Sequence, residues 1–435
     1  MLEQYLERFL QKHFSYQKPL LLGYSGGPDS EALLQLLLEV RRKKPFALHL
    51  VHIDHGWRKT SEEEANSLRL KAKALGLPFH LAKQSPSIGG NAEELARNFR
   101  YAYFKQLMEK YHFAGIFLAH HADDLAETVL KRMLEGAHLF TMGGMKPHSF
   151  YQGIRLFRPL LPFSKKELLA FLEEKNISFI HDATNEDVKF TRVKFRKKVF
   201  PFIQKEFGKN PTRPLQFFSK QTWELQEHLE SRLNPILVKT EKTPFFHVLR
   251  LDNSETLSSL ELRSLLYSFF EKRLSREQED LFIEAIKEKK PSLSVDKAFF
   301  WDQETLYYQK REIPLLEGSF EQEGTYDFGP WSMEIQKTFS TSANSLWKDW
   351  LKGSFQFWIP SGSYHWDQIQ ANERFYGKSL REVYREKKVP FFLRESLPLL
   401  RKKSEAIFEL ASGKTAKSFS EKSIFWKSVI KIKPQ

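Results

Sequence analysis

The run Ser25-Gly26-Gly27-Pro28-Asp29-Ser30 has residue types and spacing that suit it to hold a polyphosphate. It follows the apolar segment Pro19 to Tyr24 and precedes a leucine-rich one, so it sits where a strand gives way to a helix. Adjacent glycines let the main chain take positive φ and turn its N–H groups inward. A helix beginning beside Ser30 aims unpaired amides and its positive dipole end at the same point. The hydroxyls of Ser25 and Ser30 can add donors. The Asp29 carboxylate repels phosphate unless Mg²⁺ stands between them, so Asp29 reads as a metal or metal-water contact, and the loop as a site for a magnesium nucleotide. No lysine in the loop reaches a terminal phosphate, which favours cleavage between the α- and β-phosphates over γ-phosphate hydrolysis. The same residues also build ordinary strand-to-helix turns, so the loop needs companions. Gly377-Lys378-Ser379 and Gly413-Lys414-Thr415 imitate the end of another phosphate loop, but Asn372 and Phe408 stand where its first glycine belongs.

Two further constellations are candidates for those companions. In His52-Ile53-Asp54-His55-Gly56-Trp57-Arg58, a period of two puts His52 and Asp54 on one side of a strand end, where they can line a nucleotide pocket. A metal site, or a histidine merely held by a hydrogen bond, are the other readings of that pair. In His120-His121-Ala122-Asp123-Asp124-Leu125-Ala126-Glu127-Thr128, His120, Asp124 and Glu127 stand at i, i+4 and i+7. If a helix starts promptly they share one face and can bind a cationic substrate or take its proton. An acidic first turn explains Asp123 by the helix dipole alone, but it does not require two histidines. Nearby, Arg97 and Arg100 lie three apart on a helical segment, one able to stabilise charge on a transferring phosphate and the other a solvated face.

The elements that must position these residues alternate. Strands are expected over 20–24, 46–53, 77–82 and 116–119, separated by amphipathic helices, which predicts a doubly wound parallel α/β sheet with ligands beyond the carboxyl ends of its strands. Helix starts are readable at Ser61 with its acidic first turn, at Asn91 with Glu94, at Ser164 with Glu167 and at Ser275 with Gln278. The basic stretch Lys205 to Pro214 reads as a linker, residues 215–290 as helical, and 298–308 as a hairpin. The expected division is a catalytic domain over 1–212, a mainly helical one over 213–315 and a mixed, β-rich module over 316–435 with its core from about 355.

Lys and Arg outnumber Asp and Glu by 68 to 54, a net charge of +14 that favours a polyanionic partner, nucleic acid first, although a basic surface can also serve solubility alone. There is no cysteine, which excludes disulfides, thiolate zinc, Fe–S clusters and thiol nucleophiles. Charges interrupt every apolar run near the amino terminus and nothing spans a bilayer, so the chain reads as cytoplasmic, with no membrane partner.

Together these residues resemble the PP-loop ATP pyrophosphatases, whose S-G-G-x-D-S loop is matched in full, and within them the tRNA(Ile)-lysidine synthetases. The resemblance extends over 52–58, 96–101, 120–128, Arg158-Pro159-Leu160-Leu161, Asp182-Ala183-Thr184-Asn185 and parts of 378–400. It implies ATP-dependent attachment of L-lysine to the wobble cytidine of the CAU anticodon of tRNA(Ile), and it is compatible with a homodimer. It also implies Mg²⁺ at Asp29, Arg100 and Arg192 on the phosphates, and His120, Asp124 and Glu127 seating the lysine, with the proton acceptor among the three left open. One departure stands out: where the family has Arg-Asn-x-x-Arg, this chain reads Arg192-Val193-Lys194-Phe195-Arg196, keeping both arginines and losing the asparagine.

Relatives that move sulfur or carry a glutaminase need cysteine and are excluded. An ammonia-using NAD synthetase would leave the basic carboxy-terminal half unexplained. The remaining rivals are a non-catalytic tRNA-binding module and a metal-dependent phosphohydrolase built on His52, Asp54, His120 and Asp124. The clusters Arg385-Glu386-Lys387-Lys388 and Arg401-Lys402-Lys403, beside Phe391, Phe392 and Trp426, are expected to contact tRNA phosphates, although Phe391 and Phe392 read better as core.

Overall fold

A computed structural model describes residues 1–54, 56, 61–84, 92–180, 191–271, 274–338, 344, 346–369, 373–375, 377–415 and 425–433, excluding the side chains of 92, 93, 191 and 192. The chain forms two compact units, Met1–Glu227 and His228–Gln435.

The first unit runs α1 (Leu2–His13), β1 (Leu20–Gly23), α2 (Pro28–Lys43), β2 (Leu48–Asp54), α3 (Ser61–Ala74), β3 (Phe79–Lys83), α4 (Ala92–Tyr111), β4 (Ile116–Phe117) and α5 (Ala122–Leu134). It continues through α6 (Leu139–Met142), β5 (His148–Tyr151), β6 (Ile154–Phe157), α7 (Lys165–Glu174), α8 (Thr191–Lys194), a π-helical turn Phe195–Val199, α9 (Phe200–Phe207) and the start of α10 (Thr212–Leu237). The sheet order is β3-β2-β1-β4-β6-β5, with every pair parallel except β5 against β6. Leu20 and Leu22 join one apolar layer with Leu33 and Leu37 of α2 and Leu168 of α7. Leu21 and Val51 join the opposite layer with Phe104 and Leu107 of α4. Burial on both faces explains why β1 is an unbroken leucine run. The strand order reverses beside β1, so the loops after β1 and β4 open onto one crevice.

The expected parallel α/β fold and its four strands are present, and Ser164 caps α7: its hydroxyl oxygen accepts the Glu167 N–H (3.4 Å), and the Glu167 carboxylate accepts from the Ser164 N–H and hydroxyl in return (2.8 and 2.7 Å). The hairpin β5–β6 extends the sheet by two strands that the sequence reading omitted. The linker is shorter than read, because α9 runs to Phe207 and α10 begins at Thr212. No helix among the described residues is long and apolar enough to cross a membrane.

In the second unit, β7 (Glu241–Lys242) and β8 (Phe246–Arg250) interrupt the stretch read as helical, followed by α11 (Ser259–Phe270), α12 (Arg276–Lys287), β9 (Ser292–Val295), β10 (Phe299–Asp302) and β11 (Thr305–Gln309). The expected hairpin is β10–β11, within a sheet ordered β7-β8-β11-β10-β9. Beyond it lie two larger antiparallel sheets, one containing Leu399–Lys402 and one in which Phe425–Ile432 pairs with Trp331–Thr338 and Ser354–Pro360, and a two-stranded ribbon of Arg374–Phe375 with Lys378–Ser379. Phe392 stacks on Phe300 with centroids 3.9 Å apart, and Trp426 is buried, so these aromatics are core. Arg401 is also no phosphate contact: it is buried, with Nε 2.9 Å from Asp367 and its terminal nitrogens on Glu373. Arg385, Lys387, Lys388, Lys402 and Lys403 are exposed.

Candidate active site

The loop after β1 is built on one left-handed residue. Gly26 has φ +80°, and a Cβ there would lie 2.6 Å from Leu68 Cδ2 and 2.9 Å from Ile180 Cδ1. Gly27 has φ −71° and ψ 168°, so the expectation that both glycines use positive φ is corrected. Its extended conformation is the one favoured before a proline, and it makes Gly27 the N-cap and Pro28 the first residue of α2, where a missing N–H costs nothing. Ser25 N–H donates to Ser30 Oγ (3.2 Å), Ser30 donates to Gly27 O (3.0 Å), and the two serine oxygens are 3.0 Å apart. These hydroxyls pin the turn itself. Beneath it, Tyr24 donates to the buried Glu31 (2.5 Å), which also meets Lys71 Nζ (2.9 Å) and Gln35 (2.8 Å). That network anchors the first turn of α2 to the end of β1.

Asp29 sits at the start of α2 with its carboxylate turned toward the loop after β4. Its Oδ2 lies 3.7 Å from His121 Nε2 and 3.8 Å from Lys165 Nζ, while Oδ1 is buried with no hydrogen bond to a described residue. Burial raises the Asp29 pKa, with Asp124 adding to the rise and His121 and Lys165 opposing it.

His121, not singled out by sequence reasoning, is the hub. It is the N-cap of α5: its Nδ1 accepts the Asp123 N–H (3.2 Å), and Asp124 Oδ2 accepts the His121 N–H in return (3.0 Å). Capping through the Nδ1 lone pair puts the ring proton on Nε2, facing Asp124 Oδ2 at 3.4 Å and Asp29 Oδ2 at 3.7 Å. Burial works against the charged ring, but the neighbouring Asp123, Asp124 and Asp29 outweigh it and leave the pKa raised. Asp123 is fixed from outside the helix by the Lys165 N–H (2.8 Å) and Thr212 hydroxyl (3.0 Å). Burial opposes its charge, yet these bonds and His121 lower its pKa to about 2.

Because α5 starts at Ala122, His120 precedes its cap, and the expected single helical face reduces to Asp124 and Glu127. His120 still influences Asp124 electrostatically. Arg196 joins the two acids, with Nε 2.8 Å from Glu127 Oε1 and a terminal nitrogen 3.2 Å from Asp124 Oδ1. Glu127 is fully buried; its Oε2 has no hydrogen bond to a described residue, and burial raises its pKa despite Arg196. Asp124 goes the other way: burial opposes its charge, but His121, His120 and Arg196 lower its pKa.

The other candidates are more dispersed. His52 Nδ1 lies 3.0 Å from Tyr24 O, as the hydrogen-bonded reading expected, and burial lowers its pKa. Asp54 accepts the Gly56 N–H (2.8 Å). Arg97 stacks over Tyr101 and Tyr151, and Arg100 lies half-buried on α4. Arg158 is buried and bonded to Lys146 O and Ser149, a structural role. The Arg192 side chain, His55, Trp57, Arg58, Asn91 and the segment 182–185 lie outside what is described. No three metal-ligating side chains cluster among the described residues, so the phosphohydrolase arrangement is not assembled there.

Residues 1–203 match the PP-loop domain family. The chain is 29% identical over 435 residues to a tRNA(Ile)-lysidine synthase of Protochlamydia amoebophila, covering 96% of this chain and 94% of that protein. It is 42% identical over 224 residues to one of Chlamydia muridarum (51% and 68%), and 39% identical over 241 residues to one of Chlamydia caviae (54% and 75%). With the loop, the acid pair and the parallel sheet in place, the chain belongs to the tRNA(Ile)-lysidine synthase family.

Proposed function

We propose that the chain joins the ε-amine of L-lysine to carbon 2 of the wobble cytidine in the CAU anticodon of tRNA(Ile), converting ATP to AMP and diphosphate. The observation that carries this reading is His121: one ring faces both Asp29 at the phosphate loop and Asp124 at the acid pair, so a nucleotide cradle and an ammonium-binding pocket form one crevice. In the first step the cytosine carbon 2 oxygen attacks the α-phosphorus and the bond to the β-phosphate breaks. Diphosphate leaves over the α2 amino end, beside Ser25 to Ser30 and Lys165, with Arg100 and Arg192 on the phosphates. In the second, the lysine nitrogen bonds to carbon 2 and the carbon–oxygen bond to AMP breaks. His120, Asp124 and Glu127 seat the ammonium, and Glu127, whose pKa is raised, takes the proton it must lose before attack. His52 and Asp54 line the nucleoside end.

Magnesium fits Asp29, whose buried Oδ1 has no bond to a described residue. This ion is commonly held by one or two carboxylates with phosphates and water, and it would neutralise phosphate charge. The domains proposed over 213–315 and 316–435 grip tRNA, the latter through Arg385, Lys387, Lys388, Lys402 and Lys403. Incubating the protein with tRNA, ATP and lysine, then weighing the nucleosides, tests the whole: lysidine is expected, with diphosphate release that needs tRNA from the first turnover and needs lysine to continue beyond one turnover. Sustained diphosphate release indifferent to lysine, or tRNA binding with no release, refutes it.

A further inference from the structure

The first turns of α10 present Arg213, Phe217 and Lys220 at spacings of four and three, one helical face of cation, aromatic and cation. All three are exposed, Phe217 by 63% of its surface. Below them opens a cleft of about 400 Å³ walled by Leu125, Pro162 and Trp223. Its shape is set by firm contacts, since the Gln216 amide donates to Leu161 O (2.8 Å) and the Thr212 hydroxyl to Asp123 Oδ1 (3.0 Å). Nothing in the reaction proposed above uses this face.

The chemistry of the cleft is specific. Its walls are apolar and aromatic, its size is that of a small-molecule site, and its rim is cationic. Arg213 forms no ion pair with a described residue, and Lys220 meets Glu224 only at 4.0 Å, with both side chains mostly exposed. A flat heterocycle bearing a phosphate satisfies all of this: the base covers Phe217 and enters the apolar walls, and the phosphate lies between the guanidinium and the ammonium. The position narrows the choice further. Leu125 in the wall adjoins Asp124 of the acid pair, and α10 is tied to the first turn of that same helix. We infer that the cleft between α10 and α5 takes an unpaired nucleotide of the RNA substrate, a neighbour of the one that reacts, a step that rests on the tRNA-directed activity proposed above.

The test uses the full-length protein and an RNA hairpin with a seven-nucleotide CAU-containing loop, with binding measured without ATP or lysine so that it reads the cleft whether or not ligation occurs. Phe217→Ala, at an exposed position, is expected to weaken binding about tenfold, the usual loss for one stacked base, and Phe217→Tyr to restore it. Arg213→Ala with Lys220→Ala should lower the slope of log affinity against log salt by about 0.7, one phosphate on a single strand. A loop made abasic at the stacked position should bind wild type and Phe217→Ala equally. Unchanged affinity and salt slope in these variants, or equal losses with intact and abasic loops, overturn the inference. If they coincide with normal tRNA- and lysine-dependent turnover, the proposed function stands without it.

Discussion

Replacing Arg196 by alanine should destabilise the first unit, and the deficit should depend on pH. Arg196 bonds Glu127 at 2.8 Å and Asp124 at 3.2 Å, and Glu127 is fully buried. Breaking a buried pair by removing one member costs about 3–5 kcal/mol. The Arg196 side chain is about a third exposed, which screens part of that, so about 2–3 kcal/mol is expected near neutral pH. The sign follows from Glu127. Its folded pKa already lies above the ordinary value, so it contributes most below its unfolded pKa, and stability falls as pH rises through the folded one. Without the guanidinium that folded pKa climbs further. The deficit should be smaller below about pH 4.5, where Glu127 is protonated in both states and only the bond to ionised Asp124 is lost, and should reach its full size above the variant's folded pKa.

Amide exchange protection along Leu125 to Val129 of α5 reads this locally, which matters because two units need not unfold as one. In a Glu127→Gln background the same Arg196 change should cost less than half as much, since the stranded charge is gone. A deficit that is equal at pH 4 and pH 8, or undiminished by Glu127→Gln, would show that Arg196 acts by packing rather than by holding the acid pair.

Gly26→Ala forces a side chain into φ +80°, about 1–2 kcal/mol of strain, and drives its Cβ onto Leu68 and Ile180; ATP affinity by equilibrium dialysis should fall more than tenfold in a protein that still folds. Asp29→Asn should abolish the magnesium dependence of ATP binding, and retained dependence would remove Asp29 from the metal. Asp124→Ala should lower lysidine formation by at least about a hundredfold, as loss of a positioned charged group does, with ATP affinity held within a few-fold. Lys71→Met strands the buried Glu31, leaving Tyr24 and Gln35 as its donors; with Lys71 about a third exposed, a loss of about 2 kcal/mol by urea titration is expected.

What the sequence disclosed and what it hid follow one physical division. The phosphate loop, the Ser164 and Ser275 caps and the alternating elements are local: their signals lie within a few residues of each other, so spacing alone reveals them. The Gln152-Gly153 turn of β5–β6 was such a signal too, with both residues at positive φ, and it was passed over. The β8 strand was misread because its apolar residues fit either period over so short a run. His121 and Arg196 are another matter. Residue type marks neither, since a second histidine and a second arginine stood nearer the expected pattern; the packing of α5 against the π-helical turn, 69 residues away for Glu127 and Arg196, selects Arg196, and the approach of α2 to the start of α5 selects His121. Lys165 was hidden in the same way, as a residue of a capping sequence whose side chain reaches Asp29 across the crevice.

The site's charge balance explains why so many of these groups are buried together. Asp29, Asp123, Asp124 and Glu127 face Lys165 and Arg196, so with all of them charged the crevice is two negative charges in excess when His121 is neutral and one when it is protonated. Arg196 takes one oxygen each of Asp124 and Glu127 and leaves Glu127 Oε2 without a bond to a described residue, so an incoming ammonium adds to the guanidinium and need not expel it. An ammonium offsets part of that excess and favours neutral His121, whose Nδ1 is then available to cap α5. Phosphate arriving at the α2 amino end pushes the ring the other way, toward a charge that turns Nδ1 into a donor facing Asp123 Oδ2 at 3.4 Å. The two substrates therefore bias one imidazole in opposite directions, and the helix that carries the acid pair is held by that imidazole.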